Sequence, residues 1–145
     1  MRLRMELFVD DLDTSVAFYR DVLGFRVQRR ADDYVSMVHG LVVLGLGPIA
    51  KLPGTGDGPG FTRQRLARDK GAGVEIVLEV DGPDELRALH EHCRRHTVVA
   101  EPLQLRPWGL HDFRLADPDG YYLRITHDDA TAPPQPPVTA AGGEG

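Results

Sequence analysis

The sequence predicts an α+β fold built from two tandem βαβββ modules. Three observations carry this. Two alternating apolar/polar strands recur 71 positions apart. Each passes through an acidic turn into an amphipathic helix, and each helix is followed by three short strand candidates.

The elements follow in order. In residues 3–9, Leu3, Met5, Leu7 and Val9 share one face of the first strand. The segment VDDLDTSVAFYRDVLG then reads as a helix: Asp13 is placed to cap it, Leu12, Val16, Tyr19 and Leu23 form its buried stripe, and Gly24 stops it. Strand candidates follow at Phe25–Arg30, Tyr34–His39 and Leu41–Leu44. The Gly- and Pro-dense stretch Gly45–Gly60 reads as a loop. In the second half Val74, Ile76, Leu78 and Val80 repeat the first strand, and Leu86, Leu89 and Cys93 form the stripe of the second helix. Its strand candidates are Val98–Leu105, His111–Ala116 and Tyr121–His127. Asp117-Pro118-Asp119-Gly120 between the last two is a type I turn, with Pro at its second position. At the offset of 71, Val9 matches Val80, Asp10 matches Asp81, Asp13 matches Asp84 and Ala17 matches Ala88. The expected division is a first module over 1–47, an inter-module loop over 48–72, a second module over 73–127 and a flexible tail over 128–145. One helix covers the apolar face of each sheet. The opposite, polar face then looks at a shared cleft or a dimer partner.

Composition narrows the function classes. The 145 residues include 17 Lys and Arg against 22 Asp and Glu, a net charge of −5, which argues against a general nucleic-acid binder. No apolar run approaches the roughly 18–20 residues that cross a bilayer, and the start MRLRMELFVDDLD is not that of a signal peptide. The single cysteine, Cys93, can close no internal disulfide, so a cytoplasmic setting is expected. The tail DDATAPPQPPVTAAGGEG holds three acids and no base and has no apolar periodicity.

The segments MELFVDDLDTSVAFYRDVLGFRV and PWGLHDFRLADPDGYYLRIT resemble the opening and the closing strands of the vicinal oxygen chelate superfamily. The resemblance spans residues 3–127. It implies incurved mixed sheets around a cleft, a homodimer, and one of two chemistries. Glyoxalase I, the extradiol dioxygenases and the fosfomycin-modifying enzymes bind a divalent metal, whereas the bleomycin-resistance proteins generally bind their drug without turnover. The metal-ligand positions implied by the family fall on Arg4, Leu44, Glu75 and Arg124. Guanidinium groups have no lone pair to donate, so no metal and no other cofactor is expected. In their place the sequence suggests an Arg–Glu–Arg cluster with Glu75 between Arg4 and Arg124, either bracing the cleft floor or holding ligand.

Strand parity adds the remaining candidates. Glu6 and Phe8 share the face of Arg4; Tyr122 and Thr126 share that of Arg124; Asp112 and Arg114 face the same way on the preceding strand. Trp108, the only tryptophan, stands in the loop before it, facing a ligand or plugging the sheet end. Aromatic surfaces mixed with charges of both signs suit a planar polar ligand. The expected binding set is therefore Arg4, Glu6, Phe8, Glu75, Trp108, Asp112, Arg114, Tyr122 and Arg124, with no catalytic residue. The net charge favours a cationic ligand at long range.

Weaker features have simpler readings. His92 and His96 share a helix face, but HEHCRRH lacks the His-Glu-x-x-His order of a zinc protease, so a solvated face is expected. GTGDGPG is not followed by Lys and Ser or Thr, so it is no phosphate loop. The basic run Arg63–Lys70 reads as a solvated face and Cys93 as core.

The function expected is metal-independent sequestration of an aromatic or glycopeptide-like antibiotic, with the small molecule and a second copy of the chain as partners, and no nucleic acid or membrane. The alternative is a vicinal oxygen chelate enzyme (lyase, isomerase or dioxygenase) with a displaced metal or a carboxylate base. Glu75 would be that base, and two nearby arginines would make it a poor one.

Overall fold

The computed structural model describes residues 3–56, 60–67 and 69–128. Eight strands and two principal helices form two copies of one unit. In chain order they are β1 (Met5–Val9), α1 (Leu12–Asp21), β2 (Arg26–Ala31), β3 (Tyr34–His39), β4 (Val42–Pro48), the short helix α2 (Arg63–Leu66), β5 (Glu75–Val80), α3 (Pro83–His96), β6 (Val99–Leu105), β7 (His111–Ala116) and β8 (Tyr122–His127). The sheets have matching orders, β1-β4-β3-β2 and β5-β8-β7-β6, each with a parallel first pair and antiparallel remainder. The α+β class and the doubled βαβββ plan therefore stand.

The local chemistry explains the boundaries. Helix α1 is capped by Asp11, whose carboxylate accepts from the Thr14 amide at 2.7 Å. Asp13, the expected cap, lies inside the first turn and pairs with Arg30 instead. Gly24 ends the helix as anticipated. At φ +73° it makes the C′-to-C3 bond of an αL cap, Gly24 N–H to Arg20 O at 3.1 Å, and Phe25 N–H adds a bond to Tyr19 O at 2.9 Å. Helix α3 starts at Pro83 and buries Leu86, His90 and Cys93.

Strand β4 runs to Pro48, through glycines expected to be loop. Leu44 and Leu46 alternate into the core at full burial, which keeps the chain extended. Gly45 is there for close approach, because a Cβ at this position would collide with the Glu6 carboxylate and the Tyr34 hydroxyl. Beyond it come a turn of 3-10 helix at Ile49–Lys51 and the helix α2, capped by the Thr62 hydroxyl at 3.2 Å from the Arg65 amide. Part of GTGDGPG, residues 57–59, lies outside the described residues, as does the tail from 129 onward.

Among the described residues the two sheets share no ladder, and side chains join the modules. The Tyr19 hydroxyl donates to Asp117 at 2.8 Å. The Tyr121 hydroxyl takes both backbone groups of Phe8, accepting from N–H at 3.2 Å and donating to C=O at 2.9 Å. Lys70 reaches Asp10 at 2.9 Å and Asp119 at 3.1 Å with only 10% of its side chain exposed. That overturns the solvated-face reading of the 63–70 run at its last residue: a buried ammonium between two carboxylates is a strut. His92, also expected on a solvated face, donates Nε2–H to the Asp21 carbonyl at 2.7 Å and stacks on His96 at 4.1 Å, linking the ends of α3 and α1. Cys93 is core, its thiol 3.6 Å from the Val22 carbonyl. No helix among the described residues is long and apolar enough to cross a membrane.

Candidate functional site

The charged faces of both sheets point away from the helices, because residues of the opposite parity fill the core. On β8, Leu123 and Ile125 are fully buried beneath α3, while Tyr122 and Arg124 are only partly covered on the other face. The nine candidate residues gather into separate groups on these faces.

On the second sheet, the chain between β6 and β7 turns through Arg106-Pro107-Trp108-Gly109. It is closed by Gly109 N–H to Arg106 O at 2.9 Å, with Gly109 at φ +92°. Trp108 stands at the tip of this turn, 54% exposed, so it plugs nothing. The Arg124 guanidinium lies 5.8 Å from the Trp108 ring centre, a cation–π distance, and its Nε is 3.5 Å from Glu75. Arg114 stands beside it. The β7–β8 register places Arg114 directly opposite Arg124, and Arg114 lies 5.8 Å over the Tyr122 ring while donating to its hydroxyl at 3.3 Å.

Asp112 sits under this surface at zero exposure, so it supports the arginines rather than touching solvent. Arg106 binds it at 2.6 Å and binds Glu101 at 2.6 Å. Sequence reasoning did not select Arg106 and Glu101, although Glu101 is the cross-strand partner of Arg114 and both project to this face. The hydrogen bond from Arg106 is the main reason the Glu101 carboxyl is held below its ordinary range, and Glu101 in turn raises Arg106.

On the first sheet, Glu6 accepts from Arg4 Nε at 2.6 Å and from the Tyr34 hydroxyl at 3.1 Å, and Arg4 lies 5.6 Å over the Tyr34 ring. The carboxylate occupies the space that Gly45 leaves open. Tyr34 was missed, although its parity on β3 places it on the same face as Ser36, the partner of Gly45. Phe8 packs against Phe61 at 4.7 Å, so the inter-module segment already covers one of its sides. Two cavities of about 380 and 310 Å³ border the seam between modules, and of the nine candidates only Glu75 lines either.

The expected Arg–Glu–Arg cluster does not form. Arg4 takes Glu6, two residues along its own strand, and Arg124 takes Glu75; no ion pair joins Arg4 to Glu75 among the described residues. The position assigned to Leu44 also moves. The register sets Glu6 beside Gly45 and Val77 beside Arg124, so Gly45 is the counterpart of Arg124, and Leu44 is buried in the core. The cause is turn length. Between the matched pairs Ser36–Gly45 and Arg114–Arg124 lie eight residues in the first half and nine in the second, so counting from the turn glycine slips by one.

This geometry has known relatives. The sequence profile of the Glyoxalase/Bleomycin resistance protein/Dioxygenase superfamily matches residues 3–125. The chain belongs to that superfamily. Solved structures with the same fold include a glyoxalase/bleomycin resistance protein/dioxygenase from Nocardioides (TM-score 0.70, 21% identity, 94% of this chain and 89% of that one). A lactoylglutathione lyase from Agrobacterium tumefaciens superposes with TM-score 0.64 at 20% identity, covering 86% and 92% of the two chains. TioX from Micromonospora sp. ML1 superposes with TM-score 0.68 at 19% identity, covering 88% and 98%. No curated protein matches the sequence.

Several superfamily members hold a divalent metal, and the corresponding residues here do not fit one. Arg4, Gly45, Glu75 and Arg124 offer one carboxylate, two guanidinium groups and a position with no side chain. Zinc takes three or four protein donors, and hard cations take more oxygen atoms than one carboxylate supplies. Among the described residues no three His, Cys, Asp or Glu side chains converge elsewhere.

Proposed function

We propose that this chain is a metal-independent small-molecule binding protein of the bleomycin-resistance type, acting as a cytoplasmic homodimer that sequesters an aromatic natural product. The observation that carries this reading is the exposed Trp108 ring backed by Arg124, with Arg114 and Tyr122 alongside. A flat aromatic face with oriented donors beside it binds planar polar molecules by stacking and hydrogen bonding, and it needs no reacting group. Arg4, Glu6 and Tyr34 form a second polar cluster on the first sheet, Phe8 supplies apolar surface, and Asp112 positions the arginines. Glu75, the only carboxylate among the four superfamily ligand positions, is paired to Arg124, which supports binding over general-base chemistry.

Trp108 is the only tryptophan, so its fluorescence reports on this surface alone. Titration with a panel of aromatic and glycopeptide antibiotics is expected to give saturable quenching near one ligand per chain, and calorimetric titration is expected to show that binding lost when Arg124 is replaced by Ala. Purified protein carrying one tightly held divalent ion per chain would overturn the reading in favour of an enzyme. A panel without any response would also overturn it.

A further inference from the structure

We infer that the second-sheet surface recognises an acidic aromatic ligand, an aryl carboxylate whose oxyanion is gripped between Arg114 and Arg124. This rests on the reading above and adds the ligand's charge.

Arg114 and Arg124 are direct cross-strand neighbours on one face. Like charges so placed repel, and such a pair needs compensation. The local carboxylates give little. Glu101 and Asp112 make their short bonds, 2.6 Å each, to Arg106. Arg114 is left with Glu101 at 3.8 Å and Asp112 at 3.7 Å, both too long for hydrogen bonds. Arg124 has Glu75 at 3.5 Å, and the buried Nε atoms of both arginines, like the buried Asp112 Oδ2, make no hydrogen bond, so the terminal N–H groups of the forks are the ones that face a ligand. Each guanidinium offers five donors in a rigid fork. Of the ten, the hydrogen bonds found use one, from Arg114 to the Tyr122 hydroxyl.

The six charges balance, three arginines against three carboxylates, so neutrality does not call for an anion. The adjacent unpaired terminal N–H groups instead offer one a place. A planar carboxylate between two forks gains paired N–H···O bonds and separates the two positive charges. A ring stands beside each fork: Arg124 lies over Trp108 and Arg114 over Tyr122, each at 5.8 Å. The free face of Trp108 then receives the ligand's ring. The overall charge of −5 would favour a cation at a distance. At physiological salt, however, charges beyond about 8 Å are screened, so the adjacent arginines decide the sign.

Calorimetric titration with three probes sharing one ring separates the possibilities: naphthoate, naphthamide and naphthylmethylamine. Naphthoate is expected to bind at least about tenfold more tightly than the amide, as charge-assisted bidentate pairing implies, with the amine weakest. Arg114→Gln and Arg124→Gln should each bring naphthoate close to the amide. Arg124→Lys, which keeps the charge and loses the fork, should retain part of the preference and controls for a misfolded Gln variant. Equal binding of acid and amide, or a preference that survives the double Gln variant, would overturn the carboxylate grip and leave the aromatic-binding reading standing. If no probe binds, both readings fail.

Discussion

Removing one oxygen atom, in Tyr19→Phe, tests how the modules are held together. Tyr19 is fully buried on α1, and its hydroxyl donates to Asp117 Oδ2 at 2.8 Å across the seam. The other oxygen of Asp117 accepts from the amides of Asp119 and Tyr121, both at 2.9 Å. Burial raises the Asp117 carboxyl above its ordinary range, while these three hydrogen bonds pull it back; burial also raises Tyr19, which keeps it a donor. The variant leaves a buried carboxylate oxygen without its partner and opens almost no cavity. A hydrogen bond to a charged group contributes about 1.5–3 kcal/mol, so the expected loss is about 2–3 kcal/mol at neutral pH. At about 3–4 °C per kcal/mol for a chain of this size, Tm should fall by about 6–12 °C. The loss should also depend on pH. With its folded pKa raised, Asp117 binds its proton more tightly in the folded state, so lowering the pH through that value favours folding. The variant raises the folded value further, so its deficit relative to wild type should shrink between neutral pH and about pH 4.5. Urea unfolding of both proteins across this range measures it. A deficit below about 0.5 kcal/mol at pH 7, or one independent of pH, would refute the account, since uncompensated buried charge must show both signs.

Three further outcomes follow from the same contacts. Tyr121→Phe should cost about 1–2 kcal/mol and speed hydrogen exchange at the Phe8 amide, whose acceptor it removes; unchanged exchange there would contradict the contact. His90 is buried against Phe113, accepts from the Leu103 amide at 3.3 Å, and is held below its ordinary pKa first of all by burial. Its contribution is therefore full above about pH 6.5 and is lost as pH falls through the lower folded value. His90→Gln should flatten the Tm decline between pH 7 and pH 5, and an identical decline would rule this out. Burial pushes the Cys93 thiol up to about 11, so at pH 8 a disulfide reagent should label it only on unfolding; rapid labelling of native protein would mean that the α3 stripe opens readily.

The fold was legible because each sheet has one buried face. Alternation at Met5, Leu7 and Val9 and again at Ile76 and Leu78 needs no tertiary information, and the Asp117–Gly120 turn declares itself by residue type. Gly45 was misread for a physical reason: a glycine admitted for close approach looks in sequence like one admitted for a turn. Site residues could be assigned to a face but not to partners. Parity put Arg4, Glu6 and Glu75 on the polar side, yet only the structure shows that Arg4 reaches Glu6 first. Lys70 was out of reach for a related reason, because its carboxylates come from positions 10 and 119, distant in the chain.

The unequal turns between the last two strands of each half have a consequence for engineering. The five residues 117–121 provide the Asp and Tyr groups that clasp α1 and the rim of β1, and the two-residue turn at Gly40 and Leu41 has nothing equivalent. The two halves are therefore not symmetric: one bears the hook and the other the eye. A chain made from two copies of the first half would keep both sheets and lose the fastening between them, so the halves are no longer interchangeable parts.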